Sequence, residues 1–259
     1  LKNKDVLTGL GVEDMKGGIT AIIKAGEYAV KNKFPVKIVL GCDEEYISQG
    51  AHDLVDYGKL SDISFLVSGE SGQIPKGAKN FTTCFGRKGR VLFKAVVKGK
   101  KSHAAEQHKG ESAVLQALKF VECLNALSFP VHKDLGKTDI VIHSFVSETD
   151  SFSIPDSAVI EFSLLAAPGT TSALFLSKIN KETKKKGIKV EVSAVKRKTP
   201  YGESYEIDTS NPFVKELQDK VFKKYNVSPM YTASVADENI FANRLKIPVI
   251  SLGPIGGGG

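Results

Sequence analysis

The sequence predicts an α/β protein: a domain with a central, mostly parallel sheet flanked by helices, interrupted by a ferredoxin-like βαββαβ unit. Three observations carry this reading. Helical runs and short apolar strand-like runs alternate up to about residue 85. From Gly86 to about 197 the order becomes strand, helix, two strands, helix, strand, which is that of a self-contained sheet with helices on one face. After Thr199-Pro200 the first style resumes. The expected domains are therefore 1–85 with 198–259, forming one unit in two pieces, and 86–197, forming the insertion.

In chain order, residues 15–32 place Ile19, Ile22, Ile23, Gly26, Ala29 and Val30 at helical spacing. Pro35 breaks that pattern, and Val36 to Leu40 reads as a short buried strand. A helix over 48–57 and a strand from Ile63 to Val67 follow. Within the insertion, strands are expected at 90–99, 138–146, 157–166 and 188–195, with helices over 111–127 and 171–186. The last part carries a helix over 211–225, an amphipathic piece at 238–245 and a strand from Ile247 to Leu252.

Composition narrows the function classes. The 259 residues, 41% apolar and 25% charged, suffice for a sizeable core of ordinary soluble type. No apolar run approaches the ~20 residues needed to cross a bilayer, and the opening Leu1-Lys2-Asn3-Lys4 is not a signal peptide. The chain begins without Met and closes on Gly256 to Gly259, so both ends read as cut. A net charge of +7 raises nucleic-acid binding, but the densest basic run, Lys181, Lys184, Lys185, Lys186 and Lys189, has no interleaved aromatics. It reads as a solvated helix end favoured by the dipole, so neither nucleic acid nor membrane is an expected partner. Cys42, Cys84 and Cys123 form no CxxC and no disulfide framework, and a cytoplasmic location is the simplest expectation.

Four carboxylates stand out by position. Asp14 sits before a helix, Glu44 and Glu45 follow the expected strand 36–40, and Glu70 follows the next one. Ligands of open α/β sheets bind beyond the carboxyl ends of strands, so three loops leaving that edge would bring these acids together. Like charges about 4 Å apart repel by roughly 1 kcal/mol in water and ~4 kcal/mol at a protein surface. Clustered acids therefore call for a cation or a shared proton. Taken singly, Asp14 also fits a helix N-cap, Asp43-Glu44-Glu45 a solvated acidic turn, and Glu70 an ordinary surface acid. Spacing and composition reach a metal–carboxylate site on an α/β protein with an inserted domain, and stop there.

Gly9-Leu10-Gly11-Val12-Glu13-Asp14-Met15-Lys16-Gly17-Gly18 resembles the metal-binding segment of a dizinc aminohydrolase and metallopeptidase family, peptidase family M20. That family includes acetylornithine deacetylase, succinyl-diaminopimelate desuccinylase, aminoacylase and carboxypeptidase G. The resemblance continues at Asp43-Glu44-Glu45, Gly50-Ala51, Gly69-Glu70, Ser102-His103-Ala104-Ala105, His108-Lys109-Gly110, Ile154-Pro155, Pro168-Gly169-Thr170-Thr171 and Gly253-Pro254. It implies a catalytic α/β domain and an inserted lid and dimerisation domain. It also implies two divalent metal ions, zinc first, with cobalt or manganese as alternatives. Asp14 would bridge them, Glu45 would bind one and Glu70 the other, and Glu44 would be the general base. His103 would steady the oxyanion from the partner subunit of a homodimer. His52, His108, His132 and His143 read as structural or surface residues. The implied substrate is an N-acyl amino acid or short peptide, cleaved at its amide bond.

The pattern also departs from the family. The remaining metal histidines would lie before Leu1 and after Gly259, and three carboxylates alone suit Mg²⁺, Mn²⁺ or Ca²⁺ better than Zn²⁺. By register, Phe152 and Leu165 stand where relatives place an Asn and an Arg that hold the substrate carboxylate. Another basic residue substitutes, or the register differs, or the substrate presents another group there. The rival expectation is a catalytically incomplete binding or scaffold protein on the same fold.

Overall fold

The computed structural model describes residues 2–3, 6–70, 82–150 and 152–253, with side chains from residue 8 onward. Leu1, Lys4, Pro254 and the glycine run Gly256 to Gly259, named above, lie outside the described residues. In chain order the elements are β1 (Lys2–Asn3), β2 (Val6–Leu7), α1 (Gly18–Lys31), α2 (Gln49–Asp56), β3 (Leu66–Ser68), β4 (Thr82–Arg87) and β5 (Gly89–Lys98). They continue with α3 (Ala113–Ala126), β6 (Asp139–Val146), β7 (Ser157–Ala166), α4 (Ser172–Lys185), β8 (Val190–Ala194) and β9 (Tyr205–Glu206). The last are α5 (Pro212–Leu217), α6 (Lys223–Tyr225), β10 (Ser228–Thr232), α7 (Asp237–Leu245) and β11 (Val249–Ser251), with a wide turn at Gln218–Phe222 joining α5 to α6. The chain forms two compact units, Leu1–Arg87 with Tyr205–Gly259, and Lys88–Ser204.

The first unit holds a sheet in the order β10-β4-β11-β3, with β9 on β4. The pairs β10–β4 and β11–β3 are parallel, whereas the short β11–β4 and β4–β9 contacts are antiparallel. Phe85, Ile207, Val214, Phe222 and Ile250 form the core beside it. Two expectations change here. Val36 to Leu40 is not a strand: it pairs with no strand among the described residues, and leaves Leu40 63% exposed. Its short apolar run has the composition of a buried strand, but a strand needs a hydrogen-bonded neighbour, and none of the described residues supplies one. Asp14 is not a helix N-cap either. It sits at φ −110°, ψ 98° in the turn before α1, whose cap position is Gly17.

The second unit is an antiparallel sheet in the order β6-β7-β5-β8 with α3 and α4 on one face. That order, with strand–helix–strand–strand–helix–strand connectivity, is the ferredoxin-like arrangement. Strand alternation explains the core. Phe93, Ala95 and Val97 of β5 and Ile160, Phe162 and Leu164 of β7 point to the helices, where Phe120, Phe175 and Ile179 meet them. Phe93 and Phe175 rings lie 4.8 Å apart, and Phe93 and Phe162 5.7 Å apart. Thr171 caps α4 by accepting from Leu174 N–H at 3.1 Å, and Ser112 caps α3 through Leu115 N–H at 3.4 Å. Residues after β8 stay with this unit through Val195 N–H to Leu92 O and Arg90 N–H to Gly202 O. Among the described residues, no helix is long and apolar enough to cross a membrane.

Candidate active site

In the first unit, close backbone contacts position the acidic loops. A Cβ on Gly18 would fall 2.0 Å from Gly69 O, and one on Gly253 would fall 2.2 Å from Glu70 O. Only glycine fits at such approaches, so the segment after Asp14, the loop of Glu70 and the end of β11 press together. Asp43 fixes the second acidic loop. It adopts φ 66°, accepts Ser48 N–H at its carbonyl (2.7 Å) and Gln49 N–H at its carboxylate (3.2 Å). Its side chain thus satisfies a free amide at the start of α2 and leaves Glu44 and Glu45 in the turn. A cis peptide joins Asp14 to Met15.

The electrostatic centre is Glu44. Its half-buried carboxyl is pushed up to about 8, first by loss of solvent and then by the negative charges of Glu70, Asp237, Glu45 and Glu238. Three of the acids singled out in the sequence, Glu44, Glu45 and Glu70, therefore share one field. Asp14 is exposed and is not among the groups acting on Glu44, although its segment adjoins the Glu70 loop through Gly18. Asp237 and Glu238 were missed by sequence reasoning. They occupy the first turn of α7, whose start is tied by Ala236 N–H to Asn239 Oδ1 at 3.0 Å. An acid pair there reads as dipole compensation, and only its place at the same sheet edge could have singled it out. Burial first, with Glu238 and Asp43 adding, raises the Asp237 carboxyl to about 6.

Beneath this cluster lies Arg87, buried, with Nε 3.6 Å from Glu238 Oε2 and one terminal nitrogen donating to Ser234 Oγ at 2.7 Å. Both Glu238 oxygens and Asp237 Oδ1 are buried without a hydrogen-bond partner. An all-oxygen, net-negative donor set of this kind fits a divalent cation by charge and hardness. Among the described residues, no group of three or more His, Cys, Asp or Glu side chains is closed into a coordination shell.

His103 belongs to the second unit. It is exposed, pairs with Ser153 in a short bridge, and accepts Ala105 N–H at Nδ1 (3.2 Å). That bond uses Nδ1 as an acceptor, so a ring hydrogen is carried on Nε2. His52, by contrast, is buried in the first unit near Arg244, a structural place. Phe152 is exposed, and Leu165 lies on β7 opposite Arg90 of β5.

These two units, a sheet interrupted by an antiparallel domain, are those of a two-domain peptidase fold. Residues 85–191 match the peptidase dimerisation domain. Acetylornithine deacetylase of Myxococcus xanthus is 32% identical over 124 residues, covering 48% of this chain and 30% of that protein. A probable succinyl-diaminopimelate desuccinylase of Staphylococcus aureus is 31% identical over 120 residues, covering 45% and 28%. Among solved structures, a tripeptidase from Staphylococcus aureus superposes with a TM-score of 0.71 at 20% identity, over 96% of this chain and 64% of that one. An M20 family metallo-carboxypeptidase from Sulfolobus solfataricus gives 0.67 at 14% identity, over 93% and 68%. The inserted unit thus matches the M20 peptidase dimerisation domain, and the fold of the chain is that of solved M20 peptidases. The aligned stretches span less than a third of the curated relatives named here and under two thirds of the tripeptidase.

Proposed function

We propose that this protein is a metal-dependent hydrolase of the amide bond in N-acyl amino acids or short peptides. One observation carries the reading: Glu44 sits half-buried in a field of four other carboxylates, with its own carboxyl raised to about 8. Such crowding is unfavourable without a cation, and it marks the residue most sensitive to one. Asp14, Glu45 and Glu70 would hold two divalent metals, zinc first, with cobalt or manganese as alternatives. When bound, the metals would supply a water of lowered pKa and polarise the scissile carbonyl.

The chain's own residues divide the remaining work. Glu44, kept off the metals, takes the proton of the attacking water and returns it to the leaving amine. A bound cation next to it would draw its carboxyl back down into the range where it is a free base at neutral pH. His103, exposed and carrying a hydrogen on Nε2, donates to the oxyanion; in a homodimer the site served is that of the partner subunit. The edge strand β6 exposes Val141, Phe145 and Val146 on the dimerisation domain and is the surface through which two copies would pair. The cytoplasm is the proposed location. The names of the relatives, deacetylase, desuccinylase, tripeptidase and metallo-carboxypeptidase, support an acylated amino acid or peptide as substrate.

The test is turnover of N-acyl amino acids and short peptides by metal-loaded protein. Glu44→Gln should lower kcat by at least about 10³-fold, with metal content and melting temperature preserved. Undiminished turnover in that variant would remove Glu44 from the mechanism. A second reading, a binding or scaffold protein on the same fold, is favoured by the lack of a closed three-donor shell among the described residues. It predicts ligand binding with no hydrolysis under any metal.

A further inference from the structure

Asp237 opens α7 in the first unit, and its neighbours lie at both ends of the segment that carries Glu44 and Glu45. At one end, a Cβ on Gly41 would fall 3.5 Å from Asp237 Oδ2, an ordinary van der Waals contact. At the other end, the Ser48 hydroxyl donates to the Asp237 carboxylate. Ser48 immediately precedes α2, and its own N–H donates to Asp43 O at 2.7 Å. One side chain of α7 therefore spans the acidic turn from Gly41 to Ser48.

That turn needs holding. Asp43 and Ser48, which bracket Glu44 and Glu45, stand at φ 66° and 54°, the left-handed region that residues other than glycine enter only at a cost. Such a conformation persists where its surroundings over-determine it. Asp43 contributes from within the turn, its carboxylate accepting Gln49 N–H at 3.2 Å. Asp237 contributes from outside, and α7 is itself fixed. Glu238, the next residue, is buried 3.6 Å from the Arg87 guanidinium at the end of β4. Farther along α7, Arg244 donates to Asp56 Oδ1 at 2.7 Å, at the end of α2. Start meets start and end meets end, so α2 and α7 lie side by side in the same direction, joined at both ends.

We infer that Asp237 is a positioning residue for Glu44 and Glu45, acting through Ser48 to hold their turn in one conformation. The inference rests on the proposed hydrolase reading for what those two acids do, as base and cation ligand; the hold itself is a property of the chain alone. An action through charge is a different account, and the two part at specific substitutions. Asp237→Asn removes the charge but still offers Ser48 a carbonyl oxygen, whereas Ser48→Ala removes the bond and keeps the charge.

The experiment is amide hydrogen exchange in the metal-free 259-residue chain, followed by calorimetric titration with Mn²⁺. The reporting amides are those of residue 48 and Gln49, both of which donate to Asp43. Ser48→Ala and Asp237→Ala should each speed their exchange about tenfold or more, the size expected for losing a hydrogen bond to a charged group. Asp237→Asn should stay within about threefold of the unchanged chain, because the acceptor remains. Combining Ser48→Ala with Asp237→Ala should add little to either alone, since both break one link. In the titration, the two alanine variants should bind Mn²⁺ about tenfold more weakly, with Asp237→Asn closer to the unchanged chain. Should Asp237→Ala fail to fold, Ser48→Ala against Asp237→Asn decides by itself. Unchanged exchange in Ser48→Ala, exchange in Asp237→Asn as fast as in Ser48→Ala, or Mn²⁺ affinity indifferent to Ser48→Ala would each overturn the inference. The expected exchange pattern in a chain that binds no divalent cation would count against the hydrolase reading alone.

Discussion

The two units solve the same physical problem with different completeness. In the dimerisation domain, every strand has a neighbour over most of its length: β5 pairs with β7 from Gly89 to Lys98, and β7 with β6 from Asp139 to Val146. Its core phenylalanines, Phe93, Phe120, Phe162 and Phe175, are wholly buried. In the first unit, strands are as short as the two residues of β9, and the run around Ile38 lies exposed. The polar investment is reversed. The first unit gathers five carboxylates in one field, with buried Arg87 paired to one of them, Glu238, whereas the second keeps an apolar core between sheet and helices and a buried Lys88 paired to Asp139 at its start. A sheet that closes on its own core is stable through packing. One that carries an acid cluster relies on charge balance.

That contrast can be broken at specific places. Phe162→Ala, in the middle of the closed core, should cost about 3–5 kcal/mol and selectively unfold the dimerisation domain, as amide exchange or differential scanning calorimetry would register. Glu238→Ala should come next. Removing the carboxylate leaves the Arg87 guanidinium buried and unpaired, and loss of one partner of a buried pair costs about 3 kcal/mol. Chemical denaturation of the first unit should detect it, and Glu238→Gln should do less damage because an amide oxygen remains. If the two units really differ in how they are stabilised, Ile38→Thr should change stability by no more than about 0.5 kcal/mol despite replacing an isoleucine.

The pH response sharpens the same contrast. The Glu44 carboxyl stands at about 8 in the folded, metal-free chain against an ordinary 4.5. Between those values the unfolded chain has released a proton that the folded state retains, so rising pH favours unfolding. The stabilising contribution is full below pH 4.5 and is lost as pH rises to about 8. Melting of the first unit in chelator should therefore fall across that window, and Glu44→Gln should flatten the slope. The dimerisation domain should show no such decline from this source.

The sequence made the inserted domain legible because alternation, turn residues and a full set of partners all lie within one continuous stretch. Val36 to Leu40 misled: a short apolar run reports a capacity to pair, and only a neighbouring strand turns it into structure. The acids Glu44, Glu45 and Glu70 were readable from their places after strand-like runs. Asp237 and Glu238 were not, since acids in a first helical turn are ordinary. Nothing in the sequence tells Arg87 and Arg90 apart. Pairing separates them, Arg87 to the buried Glu238 and Arg90 to Ser163 opposite the apolar Leu165.

The central claim is that the carboxylates around Glu44 are gathered for a divalent cation. Calorimetric titration of Zn²⁺ or Mn²⁺ into the chain at neutral pH, with proton release followed in two buffers of different ionisation enthalpy, addresses it most directly. Binding should release about one proton from Glu44, and Glu45→Gln and Glu70→Gln should each weaken it by about tenfold or more. Binding without proton release, or affinity indifferent to both substitutions, would contradict the account.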